Sequence, residues 1–247
     1  MNRILLPFLL LSFFVVSCAP RPVFRMSPAA ENTTFNQGIE YVNFSEGGVD
    51  LSISYYQHMG DKFVMDVEIA NNTDSVMRIR PDQFSYRAYE IMNAKIQDKS
   101  DYVIATRRAV SPEEELIRKD MEIAQSVANQ KTSTLLFAIG QTASIAQSVM
   151  EENPEKREEL SEERQESYIA QEVSHHRRER HRAALRDQRE VWELEAIRTT
   201  DLFPGEYIRG FVFFKNEPDA KGYTITFKKQ TLSFSAFYRQ QKYGGQP

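Results

Sequence analysis

Two different periodicities divide this chain. From Ile39 to Thr106, and again from Asp201 to Ala236, apolar residues alternate with polar ones; between Ser111 and Arg198 that alternation disappears and apolar residues recur every three or four positions. A period of two puts one side of a strand on a core and the other in water, whereas a spacing of three and four marks one face of a helix. Neither strand group holds enough strands to cover both faces of a core, so the two are expected to complete one structure between them. The fold class that follows is mainly β with an α insertion: an antiparallel β-sandwich interrupted by a long two-helix hairpin.

About eight strands are legible. Val49, Leu51, Ile53 and Tyr55 alternate with Asp50, Ser52 and Ser54 after a Gly47-Gly48 turn. His58-Met59-Gly60-Asp61 reads as the next turn, with His58 exposed in it. Phe63, Met65, Val67 and Ile69 follow, then the Asn71-Asn72-Thr73-Asp74 cluster, then runs from Val76 to Ile79, Phe84 toward Ile91 and Tyr102 to Thr106. In the second group Tyr207 to Lys215 is a continuous apolar strand after a Pro204-Gly205 turn, and runs containing Tyr223 to Phe227 and Leu232 to Ala236 come after it. The expected boundaries are 37–110 and 199–243 for the two parts of the sandwich, 111–198 for the hairpin and 244–247 for a tail.

The hairpin has its own punctuation. Ser111-Pro112-Glu113-Glu114 supplies a capping hydroxyl, a proline at the first helical position and acids at the positive end of the dipole. Ile117, Met121, Leu135 and Ile139 then fall on one stripe and are the candidate interaction residues. Asn153-Pro154 ends this helix and starts the next. The stretch from Glu151 to Arg198 carries 24 charged residues among 48, so the second helix offers only a thin apolar seam and resembles a coiled-coil arm in composition. The first contains nineteen residues without a charge, Thr132 to Met150, but eight of these are Ser, Thr or Gln, which argues against insertion into hydrocarbon.

The N-terminus has a targeting pattern. Arg3 precedes an apolar run from Ile4 to Val16, of signal-peptide length and shorter than a spanning helix requires. It ends in Val15-Val16-Ser17-Cys18, which resembles the lipobox of bacterial lipoproteins, and Cys18 is the only cysteine of the chain. The resemblance implies a signal peptide over 1–17, removed in the mature protein, and a membrane anchor through lipid on Cys18. Ala19 in place of an aspartate after the cysteine is similar to the outer-membrane default, and the Pro-rich residues behind it lean toward the periplasmic face. Residues 18–36, rich in Pro, Ala and small polar residues, read as an extended tether of up to ~60 Å.

A second resemblance joins the two strand groups. Val67 to Ser75, Pro81-Asp82-Gln83-Phe84 and the run from Leu202 to Phe214 are similar to immunoglobulin-like domains of bacterial envelope lipoproteins. This implies an immunoglobulin-like arrangement for the sandwich and covers roughly half the chain.

Candidate chemistry is sparse. With 31 Lys+Arg against 35 Asp+Glu the net charge is −4, which argues against a general nucleic-acid binder. One cysteine excludes a disulfide framework and any multi-cysteine zinc site. No Gly-x-Ser-x-Gly, phosphate-binding or dinucleotide motif occurs, so no catalytic residue and no cofactor is expected. His175-His176-Arg177-Arg178-Glu179-Arg180-His181-Arg182 is the most unusual local composition. Its basic flanks oppose a cation and a single helix is expected to spread these side chains, so it reads as a solvated face and no metal is expected. The functional expectation is a non-enzymatic envelope lipoprotein, the sandwich a platform and the hairpin a contact arm for a protein partner or for self-association. The alternative is a lipoprotein that binds a glycan or peptide on the sandwich surface through tyrosines such as Tyr55, Tyr56, Tyr86 and Tyr89.

Overall fold

The structure, a computed structural model, describes residues 22–30, 32–90 and 102–244. The expected signal peptide, Cys18, Ile91 and the last three residues lie outside them. The chain divides into two compact units: residues up to Val110 together with those from Ile197 onward form one, and Ser111–Ala196 forms the other.

The first unit is an antiparallel β-sandwich. Its strands are β1 (Val23–Pro28), β2 (Thr33–Asn36), β3 (Ile39–Glu46), β4 (Val49–Met59), β5 (Lys62–Asn71), β6 (Met77–Ile79), β7 (Phe84–Tyr89), β8 (Val103–Arg108), β9 (Thr200–Leu202), β10 (Tyr207–Lys215), β11 (Gly222–Lys229) and β12 (Leu232–Tyr243). One sheet has the order β1-β12-β11-β7-β8, the other β10-β5-β4-β3-β2, and β6 pairs with β9 in a small third ladder. Each sheet therefore takes strands from both sequence groups, as the split pattern requires.

The alternation in sequence explains the layering. Leu51, Ile53, Phe63, Met65, Val67 and Ile69 point from the second sheet into the interior, where they meet Phe84, Tyr86, Tyr223, Ile225, Phe227 and Phe234 of the first. Aromatic rings bridge the sheets: the Phe63 ring lies 4.8 Å from Tyr223 and 5.7 Å from Tyr86, and Phe44 stacks on Phe234 at 5.4 Å. Among the described residues, this buried cluster contains none from Ser111–Ala196.

Two turns show the local chemistry at work. Gly47 and Gly48 link β3 to β4 with φ of +61° and +73°, in the left-handed region that L side chains avoid. A Cβ on Gly48 would also stand 3.0 Å from Thr73 Cγ2, so the turn has little room for another residue. Asn71, fully buried at the end of β5, accepts from Thr73 N and Oγ1 and donates to Ser75 O and Leu202 O. Its backbone bonds Glu206 O and Gly205 N, so the turn after β5 is tied to the Pro204-Gly205 turn that opens β10.

Several expectations are corrected. The stretch 18–36 is not a free tether over its described part: β1 pairs with β12 and β2 with β3. Met26 reaches the core as the buried residue of β1, and one buried side chain amid exposed neighbours gives no visible period. The turn after β4 is only Gly60-Asp61; His58 and Met59 belong to β4 itself. Val76 is exposed and precedes β6, β7 stops at Tyr89, and β12 continues seven residues past Ala236, to Tyr243. Ile197, expected in the second helix, sits in the sandwich core at 2% exposure.

Candidate interaction surface of the hairpin

The second unit consists of α1 (Pro112–Met150), α2 (Pro154–Glu190) and a π-helical turn, Val191–Glu195. At 1.5 Å per residue the helices are ~58 and ~55 Å long. Their starts are capped as the sequence indicates: Ser111 Oγ accepts from Glu114 N at 3.3 Å and Asn153 Oδ1 from Glu155 N at 3.0 Å, each with proline next in the chain. The second helix ends short of Arg198 because the chain widens into the π turn, whose Trp192 is buried.

The seam between the helices is polar. On α1 the partly covered positions Ser126, Gln130, Ser133, Phe137, Gln141, Ser144 and Ser148 follow one another at steps of three and four, and on α2 Leu160, Arg164, Ser167, Gln171, Ser174, Arg178 and Arg182 do the same. Gln141 Nε2 donates to Ser167 Oγ at 2.6 Å and Arg164 Nη1 to Ser148 Oγ at 2.6 Å. Arg189 Nε donates to Asp120 Oδ1 at 2.6 Å, and the rings of Phe137 and Tyr168 meet edge to face at 5.3 Å. Gln141 Oε1 is buried without a hydrogen-bond partner.

The apolar stripe lies on the opposite face. Ile117, Met121, Leu135 and Ile139 fall within about 40° of one another around the helix axis, and the seam is centred roughly half a turn away. They are 61%, 67%, 62% and 58% exposed. Ile145, Val149 and Met150 extend the exposed set toward the end of α1. A shallow groove of about 590 Å³ flanks the stripe, lined by Val127, Gln130, Lys131, Thr134, Leu135 and Ala138. On α2, Ile169 and Val173 are also exposed, turned away from α1. Periodicity located the stripe; the polar composition of the seam was equally present in the sequence but was not read as an interface.

The histidine cluster of α2 is closer than helical spacing suggested. Donor atoms of His175, His176 and Glu179 lie within 4.8 Å of one another, which corrects the expectation that they diverge. His175 Nδ1 stands 3.7 Å from Glu179 Oε2, and His176 Nε2 stands 3.9 Å from Glu172 Oε1. Adjacent turns bring i and i+4 side chains together even when i and i+1 point apart.

Two polar sites in the sandwich were not anticipated. Arg209 donates to both oxygens of Asp66, at 3.1 and 2.6 Å, and Tyr41 Oη donates to Asp66 Oδ2 at 2.8 Å. Burial and then the Asp66 bond push the Tyr41 hydroxyl's pKa up. The other is His58, expected in the open and found half-buried: its Nδ1 is 2.7 Å from Tyr55 Oη and its Nε2 3.3 Å from Asn216 Oδ1, with the Phe24 ring at 5.3 Å. Burial lowers its pKa, and bonds to Asn216 and Gln240 oppose that shift. Both ring nitrogens are engaged, so the residue ties β1, β4 and the β10–β11 connection together.

Of the tyrosines considered for a ligand platform, Tyr86 and Tyr89 are buried at 1% and 5%, and Tyr55 is part-buried with its hydroxyl on Phe24 O. Tyr56 remains, stacked on Phe211 at 4.6 Å. No helix among the described residues is long and apolar enough to cross a membrane. Comparison with protein-family models, curated proteins and solved structures finds no match for this chain.

Proposed function

We propose that this chain is a lipid-anchored protein of the bacterial envelope that works by contact and not by catalysis. Cys18 carries the lipid, the sandwich is the platform, and α1 of the hairpin meets another protein. The observation that carries the reading is the partial inversion of the hairpin: between Ser126 and Ser148 its seam is mostly Ser and Gln on α1, met by Ser, Gln and Arg of α2, with Phe137 and Leu160 as the apolar members, while Ile117, Met121, Leu135 and Ile139 face outward. Each Leu or Ile left exposed forgoes ~1.5–3 kcal/mol that burial would supply, so a partner covering this stripe gains what the hairpin alone does not. The lipobox supports the location. Because β1 begins at Val23, only four residues, at most ~17 Å of chain, separate Cys18 from the sandwich, and the platform is held near the bilayer.

Two substitutions test the two halves of the proposal. Cys18→Ala should abolish labelling by radioactive palmitate and move the protein from the membrane to the soluble fraction. Leu135→Asp combined with Ile139→Asp should abolish cross-linking through α1 in intact cells and leave the β circular-dichroism signal unchanged. A wild-type protein that cross-links to nothing through this helix would remove the basis for the contact arm.

A further inference from the structure

We infer that the protein met by α1 is a second copy of this chain, seated antiparallel about a two-fold axis near Thr142. The inference rests on the contact-arm reading and names its partner.

A two-fold contact places the same patch on both sides, so the patch must be complementary to itself. From Thr132 to Met150 the stripe carries no charge. Its apolar members Leu135, Ile139, Val149 and Met150 are all exposed. Its hydroxyls need nothing from outside: Thr142 Oγ1 donates to Ala138 O at 2.9 Å and Thr132 Oγ1 to Ala128 O at 3.2 Å. Such a surface can leave water against its own copy without stranding a polar group. Ala138, Thr142 and Ala146, one above the other on this face, are small enough for the two helices to approach closely.

Charge at the two ends of the stripe selects the orientation. Lys131 stands on the stripe face just before the uncharged run, and Glu151-Glu152 follow it directly; Lys131 and Glu152 are both exposed. Antiparallel copies centred between residues 141 and 142 bring Lys131 of each opposite Glu152 of the other. A parallel pair would set lysine against lysine and glutamate against glutamate, which is disfavoured. The overlap is about twenty residues, ~30 Å of a helix ~10 Å wide, a footprint on the order of 300 Å² per copy. Both copies together bury about 600 Å², below the ~1,000 Å² of stable pairs, so a weak, reversible dimer favoured by confinement to the membrane is expected.

The test uses the full chain in its own membrane. Thr142→Cys, at the axis, should give a covalent dimer of twice the chain mass on mild oxidation, above the background set by the wild-type chain with its single Cys18. Lys131→Cys alone should not, but two differently tagged chains carrying Lys131→Cys and Glu152→Cys should cross-link to each other. In the Thr142→Cys background, Lys131→Glu should cut the dimer yield roughly tenfold, and adding Glu152→Lys should restore it. Helical circular dichroism of each purified variant controls for folding. Self-cross-linking of Lys131→Cys as strong as that of Thr142→Cys, or no rescue by the double charge reversal, would overturn the antiparallel pair. A cross-linked product of another mass through residue 142 would overturn the second copy and leave the contact-arm reading standing. No product at all would overturn the second copy, and the contact-arm reading would then stand or fall by cross-linking through α1 in intact cells.

Discussion

Phe63, Phe214 and Tyr223 meet ring to ring between the sheets at exposures of 0%, whereas Leu135 and Ile139, no less apolar, stand 62% and 58% exposed on α1. The sandwich turns its apolar residues inward; the hairpin buries Leu116, Leu185 and Trp192, but between Ser126 and Ser148 it turns mainly Ser and Gln inward and leaves Leu135, Ile139, Val149 and Met150 outside. The first arrangement holds itself together. The second pairs Gln141 Nε2 with Ser167 and Arg164 with Ser148, leaves Gln141 Oε1 without a partner, and gains little from its outward stripe, because exposed surface contributes nothing to the hydrophobic term.

The sharpest way to break this comparison is to delete side chains in both regions. Phe63→Ala empties a site fully enclosed by rings from both sheets and should cost about 3–5 kcal/mol, whereas Ile139→Ala should change the stability of the isolated chain by less than about 0.5 kcal/mol. Chemical denaturation of the two variants checks this, and equal losses would show that the stripe is covered after all. A smaller effect of opposite sign is expected in the seam. Gln141→Leu removes a buried carbonyl oxygen that lacks a partner and should stabilise the helical unit by roughly 1 kcal/mol, read as a higher midpoint of the helical signal. A fall in that midpoint would mean that the bond to Ser167 outweighs the unsatisfied oxygen.

The third effect is confined to the sandwich and depends on pH. Burial holds the His58 pKa below its ordinary value of 6.5, so the unfolded chain binds the proton more readily. Stability should therefore be fully present above about 6.5 and decline as pH falls below that value. In His58→Gln this part of the slope should vanish, and thermal melts between pH 7.5 and 5 would measure it. A wild type that is no less stable at pH 5 would show the ring to be hydrated.

The smallest effect expected is none. Val110 N bonds Phe213 O and Ile197 N bonds Phe211 O, so the chain leaves and re-enters the sandwich at carbonyls two residues apart on β10. Replacing Pro112–Ala196 by a short Gly/Ser linker should leave a cooperatively melting β domain, because the buried cluster between the sheets draws nothing from the hairpin. Loss of the β signal in that variant would show the two units to be one folding unit.

Local signals in the sequence determined much of this protein. Alternation at Val49 to Tyr55 and Phe63 to Ile69 settled strand identity and inward face together, since a period of two leaves no choice of side. Ser111-Pro112 and Asn153-Pro154 placed the helix starts to the residue, because a cap and a proline act within one turn. That Ile117, Met121, Leu135 and Ile139 share one face of α1 was legible from spacing alone. What only the tertiary structure decided involves groups far apart in the chain. Strand β1 exists because β12 offers it hydrogen bonds, and no short segment announces a partner more than 200 residues away. His58 is buried because Phe24 and Asn216 close over it, and Asp66 is held by Arg209 and Tyr41 from two other strands. The direction in which α1 faces was likewise open: an amphipathic pattern tells which residues share a side, but which side receives α2 was decided by Gln141 with Ser167 and Arg164 with Ser148, pairs formed only when the second helix folds back.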